Sequence, residues 1–175
     1  AAKVSVPGLG DILEGECHPG FFDGVATVVT KLLLQAGADR AFFGEKDYQQ
    51  LLIIKRLVGD LDIPVEIEAA PTVREADGLA LSSRNAYLTK DQRARAPALF
   101  TTLSAVAERA AKDTDIADLE NWAGKELLDA GFARVDYIAL RDAETLATWD
   151  GKPRPGRVLA AAWLGQTRLI DNVAV

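Results

Sequence analysis

The stretch Phe42-Phe43-Gly44-Glu45-Lys46-Asp47-Tyr48-Gln49-Gln50 sets a glycine, a mobile cation and a carboxylate side by side. A glycine at a strand end lets the backbone approach a ribose or a phosphate where a β-carbon would clash. A helix starting just after it offers unpaired N–H groups to anionic or hydroxyl oxygens. Lys46 brings a point charge suited to phosphate oxygens, and Asp47 could accept from ribose hydroxyls or cap the helix. Further on, Leu81-Ser82-Ser83-Arg84-Asn85 places two hydroxyls beside an always-charged fork. Such a loop can grip a triphosphate and stabilise charge as pyrophosphate leaves. The two stretches read as two sides of a site for a phosphate-bearing ligand.

Each also has an ordinary reading. Gly44–Asp47 could be a capped helix start with solvated charges, and the serines of an exposed turn could bond the local backbone. Gln49 and Gln50 are good helix formers, although one facing a cleft could hydrogen-bond a small hydroxy acid. No GxxxxGK[ST] phosphate loop is present. Cys17-His18 invites a nucleophile or metal reading. With one cysteine and one histidine in the chain there is neither a second ligand cluster nor a separate base, so this pair reads as a structural loop.

The elements that must position these residues follow from periodicity. Residues 3–6 alternate as a short strand would, and Pro7-Gly8-Leu9-Gly10 breaks the pattern. Residues 14–20 are turn-rich and read as an irregular loop. From Gly24, the spacing of Val25, Val28, Val29, Leu32 and Leu33 predicts a helix to about Gln35, stopped by Gly37. Residues 40–43 form a buried strand ended by Gly44. A helix over 47–60 with Leu51, Ile54, Val58 and Leu61 on one stripe follows, then a strand over 64–69. Helix, strand, helix, strand with short connections predicts a parallel sheet with crossover helices. Ligands of such sheets bind beyond the carboxyl ends of strands, where Gly44–Asp47 and Pro71-Thr72-Val73-Arg74 both fall.

After Ala70 the character changes. Residues 74–85 are polar and suit a hinge or inter-domain loop. Thr89-Lys90-Asp91-Gln92 has the form of a capping box opening a helix that aligns Leu99, Leu103, Val106 and Ala110, with Pro97 kinking or restarting it. Asp115 caps a further helix through Leu119, Ala123 and Leu127 to Gly131. Three strands follow over 135–140, 157–164 and 167–175, the last two joined by a hairpin turn at Gly165-Gln166. The Trp163 region and the helix stripes read as core.

Composition narrows the function classes. At 175 residues, 49% of them hydrophobic, the chain can bury a core as one large domain or two small ones. A net charge of −6 argues against a broad nucleic-acid or membrane surface, so an anionic ligand must be held by a few local cations. No apolar run reaches the roughly 18 residues of a spanning helix. A lone cysteine forms no internal disulfide, which fits a reducing, cytoplasmic setting. The chain contains no methionine and opens in a strand-like run, which suggests part of a longer polypeptide.

In combination, residues 24–32 (GVATVVTKL), 43–51 (FGEKDYQQL), 71–85 (PTVREADGLALSSRN), 161–165 (AAWLG) and 168–172 (RLIDN) strongly resemble the pantothenate synthetase, or pantoate–β-alanine ligase, family over essentially the whole chain. The resemblance implies an α/β fold: the remainder of a Rossmann-type, nucleotidylyltransferase-like parallel-sheet domain over 1–72, then a small α+β lid domain over 73–175. It implies a two-step reaction with ATP and Mg2+, in which pantoate is adenylated with release of pyrophosphate and β-alanine then displaces AMP. Gly44, Glu45, Lys46 and Asp47 match the nucleotide-binding stretch, with Lys46 on phosphate and Gly44 and Asp47 near the ribose. Gln50 matches a pantoate-binding glutamine and Val73 a residue at the adenine. Leu81, Ser82, Ser83 and Arg84 match a loop resembling the KMSKS signature of class I aminoacyl-tRNA synthetases. Lys46, Ser82, Ser83 and Arg84 would carry the catalytic work, and no metal ligand is assigned. The partners implied are pantoate, β-alanine and ATP, with no nucleic acid or membrane, and a homodimer for the full-length protein.

Two departures stand out. The family's Met-Gly-x-Leu-His-x-Gly-His motif is absent, so the 175 residues alone are expected to be inactive. Where family members commonly read Arg-Pro-Gly-His-Phe, this chain has His18-Pro19-Gly20-Phe21-Phe22, which removes a cation near the active cleft. The rival readings are another adenylating or nucleotidyl-transferring enzyme of the same superfamily and a non-catalytic structural fragment.

Overall fold

The 3.6-residue periodicity of the first half resolves into two helices around a strand in the computed structural model, which describes residues 2–112, 115–151 and 153–175. After one helical turn, α1 (Glu14–Cys17), come α2 (Phe21–Ala36), β1 (Arg40–Gly44), α3 (Tyr48–Asp60) and β2 (Glu66–Ala70). Gly37 ends α2 in the left-handed region (φ 54°), its N–H donating to the Leu33 carbonyl. β1 and β2 pair in parallel, Arg40 opposite Glu66 through Gly44 opposite Ala70, with α3 as the crossover. Ala41, Phe43 and Ile67 turn toward a core of Ala26, Leu33, Ile54, Leu57, Val58 and Ile63, while Phe42 points outward and is 65% exposed.

Some expectations shift here. Residues 3–6 form no strand: Val4 N–H donates to Thr27 Oγ1 (2.9 Å), and the Thr27 hydroxyl donates back to the Val4 carbonyl (3.3 Å). A helix side chain thus takes the place of a partner strand. The turn-rich stretch holds α1, and α2 starts at Phe21, before Gly24. The buried face of α2 is Phe22, Ala26, Thr30 and Leu33, whereas Val28 and Leu32 are exposed. Thr30 can be buried because its hydroxyl donates to the Ala26 carbonyl (2.7 Å). On α3 the stripe holds through Leu51, Ile54 and Val58, and Leu61 lies exposed beyond the helix end.

The chain forms two compact units, Ala1–Pro71 and Thr72–Val175. In the second, α4 (Lys90–Arg95), α5 (Ala98–Ala110) and α6 (Ile116–Asp129) accompany β3 (Arg134–Asp142), β4 (Gly156–Leu164) and β5 (Thr167–Ala174). Thr89 and Gln92 close a reciprocal capping box, and Pro97 separates α4 from α5. The strands form an antiparallel sheet in the order β3-β4-β5, whose Leu140 and Val158 pack with Leu99, Leu103, Val106, Leu119 and Leu127 of the helices. A bulge between Val135 and Tyr137 interrupts the register of β3. Trp163, expected in the core, is half-buried instead: its Nε1 donates to Asp136 Oδ2 (2.9 Å) and the Arg134 guanidinium stacks on its ring. No helix among the described residues is long and apolar enough to cross a membrane.

Candidate nucleotide site

Gly44 closes β1 in an extended conformation (φ −69°, ψ 136°), and a β-carbon built there would meet no atom within 4 Å. Neither backbone conformation nor packing against described residues requires a glycine. The space beside its Cα is open to close approach by a ligand. Glu45–Asp47 form one 3-10 turn leading into α3. Asp47 is exposed at the head of α3 and its side chain makes no capping bond, so helix capping does not occupy this carboxylate. Glu45 and Lys46 on this turn, and Gln50 in the first turn of α3, are half-buried.

Gln49 takes the opposite course. It is buried, its Nε2 donates to the carbonyls of Leu9 (2.7 Å) and Ile12 (2.8 Å), and its Oε1 accepts from Glu14 N–H (3.2 Å). One side chain thereby fastens the loop ahead of α1 to the first turn of α3. Gln50, one position along, is half-buried and takes no part in that clamp.

In the second unit, Val73 and Leu81 are the two ends of a hairpin. Leu81 N–H donates to the Val73 carbonyl (2.9 Å), Arg74 bridges Ala80, and Val73 is 65% exposed. The segment read as a hinge is therefore a closed turn. At its tip, Asp77 Oδ2 accepts from Arg93 Nη1 (2.6 Å) and Asp77 Oδ1 accepts from Leu79 N–H (3.2 Å). The Arg93 hydrogen bond holds the Asp77 carboxyl below the ordinary aspartate range, against the opposing effect of desolvation.

From Leu81 the chain enters a 3-10 helix, Ser83–Tyr87, with Ser82 as its cap. Ser82 Oγ accepts from Arg84 N–H (3.2 Å), so the local-backbone reading of this serine is realised. A hydroxyl that accepts still has its own O–H to donate, and a phosphate oxygen can take it. Ser83 and Arg84 are exposed beside it. Asn85 fixes the loop from beneath: its Nδ2 donates to the Ala80 carbonyl (3.0 Å) and its backbone N–H to the Ser82 carbonyl (3.1 Å). The structure thus gathers Gly44–Gln50 within the first unit, and Val73 with Leu81–Arg84 within the second.

The profile described as Pantoate-beta-alanine ligase matches residues 1–174. The chain belongs to the pantoate-beta-alanine ligase family. The pantothenate synthetases of Chelativorans sp. (strain BNC1) and Paramagnetospirillum magneticum are 56% and 58% identical to it over 175 residues, which is 100% of this chain and 62% of each relative. Pantothenate synthetase from Thermus thermophilus superposes with a TM-score of 0.92 at 44% identity, covering 99% of this chain and 63% of that one. The pantoate-beta-alanine ligase of Francisella tularensis, solved in complex with beta-gamma ATP and beta-alanine, superposes with a TM-score of 0.76 at 32% identity over 99% of this chain and 58% of its own. The chain spans about 62% of the length of the curated relatives it matches.

For this ligase-family chain, the side chains that sequence reasoning left without a role are Gln49, Arg74, Asn85 and Asp171. Only Asp171, a carboxylate directly after Leu169-Ile170 in a strand-like run, carried a visible signal. Magnesium, which the resemblance implies with the nucleotide, finds no convergence of three His, Cys, Asp or Glu side chains among the described residues, and no step below is routed through it.

Proposed function

We propose that this chain carries the nucleotide-binding part of an ATP-dependent ligase that joins pantoate to β-alanine. The family match along residues 1–174 carries this reading, and the ATP and β-alanine complex of the Francisella tularensis relative supports the ligand set. In the first step a pantoate carboxylate oxygen attacks the α-phosphorus of ATP, the bond to the bridging oxygen breaks, and pyrophosphate leaves. In the second, the neutral amine of β-alanine attacks the acyl carbon of pantoyl adenylate, AMP departs with the electron pair, and the nitrogen loses a proton. Neither step needs a covalent enzyme intermediate, so positioning and charge neutralisation do most of the work.

The roles are those the resemblance implies, and the local geometry supports them. Gly44 leaves room for the ribose and Asp47, exposed and not capping, accepts from its hydroxyls. Glu45 shares that turn and Lys46 draws charge from the phosphates. Gln50 donates to pantoate, and Val73 offers an exposed apolar face to the adenine. Leu81, Ser82, Ser83 and Arg84 hold the phosphates, with Arg84 spreading charge over the departing pyrophosphate.

On this reading the 175 residues bind ATP without turning over. The histidines that the resemblance sets at the transferring phosphate have no counterpart within these residues, whose one histidine, His18, stands before Pro19-Gly20 in the connection between α1 and α2. Two measurements test the reading. Calorimetry on this chain should detect ATP binding that Lys46→Ala weakens. A chimera carrying these 175 residues in place of the matching segment of the Thermus thermophilus protein should release pyrophosphate from ATP with pantoate, and AMP once β-alanine is added, and neither with other hydroxy acids. A folded chimera that adenylates a different acid would overturn the substrate assignment.

A further inference from the structure

The hairpin between Val73 and Leu81 is closed more firmly than its short bonds require. Glu75 N–H donates to the Leu79 carbonyl (2.8 Å) and Gly78 N–H returns to the Glu75 carbonyl (2.9 Å). Arg74 stands at the stem. Its Nη1 donates to the Gly78 carbonyl (3.0 Å) and to Asp171 Oδ2 (2.6 Å), and its Nη2 donates to Asp171 Oδ1 (2.9 Å) and to the Asn172 carbonyl (3.3 Å). The guanidinium also lies 4.0 Å over the Phe100 ring of α5. The Asp171 side chain is 2% exposed on β5, so this is a fork-to-fork ion pair inside the unit. Arginine beside Val73 would suggest a phosphate cation by type alone. Its donors are instead committed to β5 and to the hairpin's own turn, so it is not a ligand contact.

We infer that Arg74 is a positioning residue: by fastening the hairpin stem to β5 it presets the spacing between Val73 and the Leu81–Arg84 loop, so that one nucleotide engages both ends together. This rests on the reading of Val73 as the adenine contact and Ser82–Arg84 as the phosphate grip. A preset spacing means that the ordering cost is met on folding, and a ligand touching both ends gains from the linkage. ATP touches both. Of these two ends, adenosine touches only Val73 and inorganic triphosphate only the loop.

The test compares these three ligands. Arg74→Met alone leaves the buried Asp171 carboxylate without its partner and threatens folding. The double substitution Arg74→Met with Asp171→Asn removes the charge pair together and keeps an oxygen for the Asn172 N–H that donates to Asp171 (2.8 Å). In the 175-residue chain, titrations followed by NMR should give an ATP affinity lower by about tenfold or more in the double variant, with adenosine and inorganic triphosphate changed by less than about twofold. Amide exchange at Leu81 should quicken while exchange in β4 stays as it was, and Arg74→Lys, which keeps one charged attachment, should give an intermediate loss for ATP. An equal loss for all three ligands, or none for ATP, overturns the inference. So does an unchanged exchange rate at Leu81. If the unsubstituted chain binds none of the three ligands, the nucleotide reading itself fails, and quickened exchange at Leu81 would then mark Arg74 as a purely structural clamp.

Discussion

Gly44 separates a ligand role from a structural one. Its φ is negative and an added β-carbon finds open space, so Gly44→Ala should leave the folded chain as stable as before or firmer by up to about 1 kcal/mol. The same methyl would stand where the ribose comes in, so ATP affinity should fall by about tenfold or more, a loss of roughly the 1.4 kcal/mol that one decade represents. Thermal melts beside calorimetry check this, and a lower melting temperature would mean that the glycine serves the fold. Gln49 gives the reverse pattern. Gln49→Ala removes two hydrogen bonds to the Leu9 and Ile12 carbonyls and one from Glu14 N–H, which should cost about 2–3 kcal/mol in denaturant unfolding. The neighbouring Gln50→Ala should cost under about 0.5 kcal/mol, because no such clamp depends on it. The adjacent glutamines were indistinguishable in the sequence because their difference lies in which way α3 rolls against a loop that starts 40 positions earlier.

At the scale of elements, the hairpin 73–81 depends on a glycine that the site does not touch. Gly78 sits at φ +92°, and a β-carbon there would come within 2.4 Å of Phe100 Cδ1, the ring on which Arg74 stacks. Gly78→Ala combines left-handed strain with overpacking, so a cost of about 2–4 kcal/mol and quicker exchange at the Leu81 amide are expected by chemical denaturation and hydrogen exchange. What was legible at this scale was local. The Thr89–Gln92 capping box, the Asp115 cap and the stops at Gly37 and Gly131 each involve residues within a turn of one another, and the structure contains all of them. What was hidden was tertiary. Apolar residues surround α2, and its buried face was decided by Ala26 and by Thr30, whose hydroxyl is satisfied within the helix. Residues 3–6 alternate like a strand, yet Thr27 satisfies Val4 from a helix. Arg74 and Asp171 are 97 positions apart, so no spacing rule pairs them, and residues 74–85 read only as a hinge or inter-domain loop.

Across the molecule, the two units should differ in stability and in their response to acid. The core of the first is small, Ala26 with Leu33, Ile54, Leu57, Val58 and Ile63, under a parallel pair of strands that leaves Phe42 outward. Two parallel strands are fewer than a sheet ordinarily needs for independent stability, and parallel sheets ordinarily have both faces covered. The second unit packs α5 and α6 over a three-stranded antiparallel sheet around a larger apolar cluster. The 175-residue chain should therefore unfold in two steps near neutral pH, amides of α2 and α3 exchanging before those of β4. Acid should narrow that gap. In the second unit, desolvation pushes the Asp136 carboxyl up, but hydrogen bonds from Arg168 and Trp163 and the charges of Arg168 and Arg134 hold it lower. Asp142 is lowered by the N–H and hydroxyl of Thr145, whereas Asp77, lowered by Arg93, is an exposed pair that solvent screens. A carboxyl depressed on folding adds stability above its unfolded pKa of about 3.9 and loses it as pH falls through the lower folded value. The first unit has Asp23 lowered by Lys3 on an exposed pair, which solvent screens to little effect. Calorimetric scans from pH 7 down to about 2.5 should thus move the later transition further than the earlier one, and Asp136→Asn should flatten that dependence. If both transitions shift equally, the paired aspartates of the second unit do not set its acid stability.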